Sequence, residues 1–171
     1  TMSMQGMNPS EDDMQRIRRD FMPGDLLPLA KSVGIDGTVA VQARQTLQET
    51  DWLLSLADAH PSLIRGVVGW VPLREYGAKI ESVLARYESR ERLKGVRHVL
   101  QGEPDAYMED GEFNAAVSVL PRRGLSYDLL IFAHQLPTAL RFVDRHPNLH
   151  LVLDHIAKPV VRGLPPAEWV N

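Results

Sequence analysis

The chain contains no cysteine. That excludes disulfides, thiolate nucleophiles and cysteine-ligated zinc or iron–sulfur centres. Aromatic residues make up only 6% of it, and they are not interleaved with basic residues as on a single-stranded nucleic-acid surface. The formal net charge is -3, so no polyanion such as DNA is expected as a partner. No apolar run approaches the roughly 20 residues needed to cross a membrane, so no membrane partner is expected. The opening stretch TMSMQGMNPS lacks the charged and apolar regions of a secretion signal. With no cysteine to protect, a cytoplasmic location is expected. Neither GxGxxG nor GxxxxGK[ST] occurs, which ranks an open nucleotide-binding sheet low.

What is present is ordinary globular material: 171 residues, 44% hydrophobic and 24% charged. That suits one domain with a real core. Residues 1–15 and the tail after Val161 look irregular, which leaves 16–171 as the domain. Five β-rich runs stand out: Thr38–Ala43, Leu63–Trp70, Leu93–Leu100, Leu125–Phe132 and Leu149–His155. They begin at intervals of roughly 25 to 32 residues, with helical periodicity between them, which argues for βα units and a parallel sheet. Helices are expected over Asp25–Val33, stopped by Gly34, and over Leu47–Ala59, capped by Thr46 with Glu49 three residues on. The second should bury Trp52, Leu53, Leu56 and Ala59. Further stripes are Ile80, Val83, Leu84 and Tyr87; Phe113, Ala116, Val117 and Leu120; and Leu140 with Val143 behind Pro137. Two strands open alike, on Ile64-Arg65-Gly66-Val67 and Leu93-Lys94-Gly95-Val96. Four residues are too few for a duplication, so this reads as recurrent strand-start chemistry.

Strand side chains alternate between faces. Thr38, Ala40 and Gln42 share one face of the first strand, and Val39, Val41 and Ala43 the other. Arg97 falls with Gly95 and Val99, and Asp128 with Ser126, opposite apolar neighbours. A parallel sheet covered on both sides should be apolar on both. A closed barrel accounts better for this pattern. Its apolar face meets the helices and its polar face looks inward, toward a mouth at the strand C-termini. Gln42, Arg97, Asp128 and His155 all lie near the C-terminal halves of their strands. Each also has a structural reading: Gln42 as a satisfied amide, Arg97 and Asp128 as an ion pair, and His155 as a hydrogen-bonded strand residue. His60 and His146 precede prolines and read as helix ends. His98 falls on the helix-facing side, His134 is in a loop, and Glu88–Lys94 reads as a solvated helix end.

Six segments carry a resemblance: RRDFMPGDL (18–26), GIDGTVAVQA (34–43), VVGWVPL (67–73), KGVRHVLQGEPD (94–105), LSYDLLIFAHQLP (125–137) and LVLDHIAKP (151–159). In order and spacing, over about residues 16 to 162, the chain resembles the amidohydrolase-2 family in its sugar-lactone hydrolase branch. The resemblance implies an α/β fold, a TIM (β/α)8 barrel of which about five βα units of eight are visible. It implies a hydrolase acting on the ring ester of a small-molecule lactone or related carboxylate. His155 and Arg97 would be catalytic; Gln42, Asp128 and Gln135 would bind substrate. Intact members can carry a divalent metal, zinc, but the His-x-His pair of the family's first strand is absent and no metal ligand can be named. The acidic residue of a Ser-Asp-Trp-Pro-like last strand is also absent. A complete barrel needs about 250 residues, so the five strands match the second to sixth of eight. Open sheet edges should then drive association, giving a homo-oligomer. Two other functions stay open: a metal-dependent decarboxylase or amidohydrolase of the same superfamily, and a non-catalytic barrel fragment acting in assembly.

Overall fold

The computed structural model describes residue 15 and residues 18–159. The chain divides into two compact units after Asp36. The first contributes one described helix, α1, Pro23–Ser32. Its start lies two residues before the expected one because Pro23 suits a first helical position, where no N–H is needed. The Met22 amide donates to Asp25 Oδ2 at 2.9 Å, and Arg19 holds the other carboxylate oxygen at 3.1 Å. Gly34, at φ 71°, follows the helix end as expected.

The second unit holds five parallel strands: β1 Thr38–Val41, β2 Ile64–Gly69, β3 Leu93–His98, β4 Ser126–Leu129 and β5 Leu151–Leu153. Their spatial order is their chain order. A doubly wound sheet reverses direction at a switch point; a sheet that never reverses curls into a barrel. This is the partial (β/α) barrel expected from the sequence. The connections run through α2 Leu47–Ala59, short helical pieces between Leu73 and Tyr87 that include α3 Leu73–Tyr76 and α4 Glu81–Leu84, α5 Gly111–Val117 and α6 Leu136–Arg145. All pack on one face of the sheet. Between that face and the helices Phe113, Tyr127 and Phe142 are fully buried, with ring centroids 5.7 to 6.0 Å apart.

Two irregularities shape the sheet. Thr38 pairs with Ile64 but Val39 pairs with Gly66, leaving Arg65 as an extra residue. Val67 pairs with Leu93 but Val68 pairs with Gly95, leaving Lys94 extra. These are β-bulges, which bend a strand and re-aim a side chain. Beyond them the register carries Val39, Val41, Val68, Gly95, Arg97, Ser126, Asp128 and Val152 onto one face. This is the face away from the helices. The expected parity of β1 is therefore reversed: Val39 and Val41 look inward, and Thr38 and Ala40 lie on the helix side. The bulge at Arg65 puts side-chain-free Gly66 beside Val39, which makes room for it. Among the described residues nothing lies opposite, so Val39 and Val41 are exposed.

Two helices also bury a different face from the one expected. In α2 the buried set is Thr50, Leu53, Leu54 and Ala57, while Trp52 is exposed. The Thr50 hydroxyl decides this: it donates to the Trp70 carbonyl and accepts from the Trp70 amide, both at 2.8 Å. In α6 Ala139 and Phe142 face the sheet and Leu140 is exposed. The stripes Ile80, Val83, Leu84, Tyr87 and Phe113, Ala116, Val117, Leu120 are buried as expected.

Candidate active site

The C-terminal ends of β1, β3, β4 and β5 bring four polar residues together. Arg97 stands at their centre, on the inner face one residue before β3 ends. Its Nη1 meets Asp154 Oδ2 at 2.7 Å, and both side chains are nearly buried, at 13% and 12% exposure. Its Nη2 donates to the Gln42 carbonyl. Gln42 answers by donating its Nε2 to the Arg97 carbonyl at 3.1 Å. The two residues thus clasp each other across β2, and Gln42 is fully buried.

Asp128 is the direct register partner of Arg97. It is 5% exposed. Burial pushes its carboxyl up to about 6, the negative charge of Asp154 adds to this, and Arg97 only partly opposes it. The ion pair of Arg97 is with Asp154, and not with Asp128 as the alternative structural reading of the sequence has it. Three buried atoms here have no hydrogen-bond partner: Gln42 Oε1, Arg97 Nε and Asp128 Oδ1. Buried polar atoms are nearly always paired, so an unpaired acceptor, donor and carboxyl at the ends of neighbouring strands leave hydrogen-bonding capacity for water or a polar ligand.

Asp154 is the residue that alternation along a strand undervalued. Val152 pairs with Asp128 on the inner face, and Asp154, two residues on, keeps that side. The strand itself stops at Leu153, two residues earlier than expected. His155 begins a left-handed turn, with φ between 50° and 55° at His155, Ile156, Ala157 and Lys158. Such a conformation costs an L-residue roughly 1–2 kcal/mol and persists only when the surroundings hold it. Lys158 anchors this turn, donating to Gln101 Oε1 with its ammonium 5.5 Å from the Phe132 ring centre. The turn leaves the His155 side chain exposed, and among the described residues no hydrogen bond ties it to the Arg97 cluster.

Gln135 sits apart as well. Its Oε1 accepts from the Phe132 amide at 3.0 Å, and its Nε2 donates to the carbonyls of Leu100 and Glu103 at 3.1 and 3.3 Å. It braces the loops after β3 and β4. Behind the sheet His98 stacks on Tyr107 at 4.8 Å, accepts from Trp70 Nε1 at 3.3 Å and faces Glu103 at 3.1 Å. With Nδ1 accepting, Nε2 carries the proton toward Glu103. The helix-side position of His98 is the one its parity indicated.

An inward-facing Arg and two carboxylates stand at the C-terminal strand ends, the end at which barrel enzymes carry their active sites. The family model for amidohydrolases matches residues 3–170, and the chain belongs to that family. It is 33% identical to an L-fucono-1,5-lactonase of Burkholderia ambifaria over 157 residues, which is 91% of this chain and 53% of that protein. It is 37% identical to an L-fucono-1,5-lactonase of Burkholderia multivorans over 147 residues, 85% of this chain and 48% of that one. A crystal structure of an amidohydrolase from Burkholderia multivorans with bound zinc superimposes with a TM-score of 0.78 at 38% identity, covering 85% of this chain and 51% of that one. The chain spans about half the length of the curated lactonases it matches.

Zinc was bound in that neighbour. Among the described residues of this chain no group of three or more His, Asp or Glu could hold a metal ion. Asp154 is committed to Arg97, and His155 is exposed on the turn that follows. The described residues do not fit a zinc centre. Among them no helix is long and apolar enough to cross a membrane.

Proposed function

We propose that this chain supplies part of the active site of a lactonase that opens the ring ester of a sugar acid, with 1,5-lactones of the L-fucono type as the substrate class. One observation carries the proposal: a nearly buried Arg97, fixed by Asp154 and Gln42, keeps an unpartnered Nε–H beside the unpartnered Asp128 carboxyl. The lactonase relatives support it.

Water adds to the lactone carbonyl and charge builds on the carbonyl oxygen. A preorganised donor in a dry site stabilises that charge, and Arg97 is the donor. The ring C–O bond then breaks, and its oxygen leaves as the hydroxyl of the open acid after taking up a proton. Gln42 Oε1 and Asp128 accept hydrogen bonds from ring hydroxyls. His155, exposed on its turn, relays the proton lost by the attacking water. Gln135 contributes by holding the loops that border the pocket.

The test follows ring opening of L-fucono-1,5-lactone with a pH indicator, against the spontaneous rate. The expected result is a rate above background that falls at least about 100-fold in Arg97→Met, the usual cost of an oxyanion donor. A wild-type rate no greater than background overturns the proposal.

A further inference from the structure

The two matching strand starts have a use the active site does not explain. In Ile64-Arg65-Gly66-Val67 and Leu93-Lys94-Gly95-Val96 the basic residue is in each case the extra residue of a bulge. A bulge needed only for curvature calls for no particular charge. Here both bulges mount a cation, and both cations open into the same cavity of about 400 Å³. That cavity lies at the N-terminal ends of β2 and β3, opposite the end that carries Arg97 and Asp154.

Glycine makes the placement possible. A Cβ on Gly66 would stand 2.9 Å from Lys94 Cγ, so the lysine stem lies across the space that Gly66 leaves. Gly37 makes the same room for Arg65. Neither Arg65 nor Lys94 has an ion-pair partner among the described residues. Two further cations line the cavity in fixed poses. Arg92 donates Nη1 to the Ile64 carbonyl at 3.1 Å, and Arg90 meets Asp58 at 2.8 Å. Four cations thus face two carboxylates, Asp58 and Glu91, and Asp58 already serves Arg90. A chain with net charge -3 concentrates positive charge at this one end. An adjoining cavity of about 550 Å³ shares Arg90, Glu91 and Lys94 and adds Glu88, Arg122 and Arg123, of which Arg123 is paired with Glu81 and Glu88.

We propose that the N-terminal end of this barrel segment binds a small, multiply charged oxyanion, a phosphate or diphosphate group, with Arg65 and Lys94 as its principal ligands. Guanidinium and ammonium donors converging on one cavity suit tetrahedral oxyanions. The cavity size and the bordering acids favour a compact anion over a nucleic-acid backbone, which would meet Glu91 and Asp58 as well.

The experiment is calorimetric titration of the chain with inorganic phosphate, pyrophosphate and a hexose 6-phosphate, at constant ionic strength. Saturable binding is expected, pyrophosphate tighter than phosphate, and at least 10-fold weaker in the Arg65→Gln/Lys94→Gln double variant. Hexose phosphate binding above phosphate would identify a phosphorylated sugar as the source; equal binding would identify the free anion. Glu91→Gln is expected to tighten binding severalfold, and Arg65→Lys/Lys94→Arg to retain it, so a folding defect cannot imitate the result. Absence of saturable binding overturns the proposal. So does a double variant that binds like the wild type, or an affinity that Glu91→Gln leaves unchanged. None of these readouts involves lactone opening, so the two proposals stand or fall separately.

Discussion

Replacing Asp128 with asparagine should stabilise this protein, and should do so only above a definite pH. The carboxyl is 5% exposed and leaves Oδ1 without a partner. Burial first, and then the Asp154 charge, raise it from 3.8 to about 6. A folded-state pKa above the unfolded one means that ionisation opposes folding. Well below pH 3.8 the group is protonated in both states and contributes no penalty. Between pH 4 and 6 the unfolded chain gives up the proton first, so stability falls as pH rises. Above pH 6 the whole penalty is present. A shift of about two units sets it at no more than ~3 kcal/mol, at ~1.4 kcal/mol per unit. The amide of Asp128→Asn keeps the shape and loses the charge. Urea unfolding of both proteins from pH 3 to 8 should give stabilities that coincide near pH 3 and separate by about 2 kcal/mol at pH 8, the variant being the more stable. The buried His146, whose burial lowers its pKa, titrates in both proteins and cancels in the difference. A stability difference that stays constant across this range, or a variant less stable at pH 8, would refute the reasoning.

Thr50→Val should cost about 1–3 kcal/mol in the same denaturation assay, because both the Trp70 amide and carbonyl lose a partner in the core. Thr50→Ser, which keeps the hydroxyl, should recover most of that loss. Ile156→Gly should raise stability by about 0.5–1 kcal/mol. Ile156 is 63% exposed at φ 53°, so glycine removes a left-handed strain at little cost in burial.

The hydrophobic runs and their spacing made the parallel winding legible, because each run is long enough to be a strand and each gap long enough for a helix. Three things were not legible, for identifiable reasons. The parity of β1 depends on a bulge in the neighbouring strand at Arg65, and a bulge is a property of pairing, invisible in either segment alone. The buried face of α2 follows from one hydroxyl meeting the backbone of Trp70, twenty residues away, which overrides the pull of the Trp52 ring. The partner of Arg97 lies 57 residues downstream. Only the register of β3, β4 and β5 together tells that Asp154, not its neighbour His155, continues the inner side. Gln42, Arg97 and Asp128 were legible as a group because polar residues on otherwise apolar strands are rare without a reason. The amide of Gln135 could be noticed but not interpreted, since its three partners come from loops.

The clasp around Arg97 has a consequence for the order in which the molecule assembles. Its two ends are drawn from Gln42 and Asp154, at the ends of the first and last described strands, and each lies more than 50 residues from Arg97 along the chain. Contacts of such sequence separation close late, after the intervening loops have surrendered their freedom. Until β5 docks, Arg97 lacks its ion-pair partner and has only Asp128, in register on β4, beside it. Docking of β5 thus completes the clasp, while the aromatic layer of Phe113, Tyr127 and Phe142 packs on the other side of the sheet. The polar cluster and the aromatic core occupy opposite faces, so a substitution in the one does not touch the packing of the other.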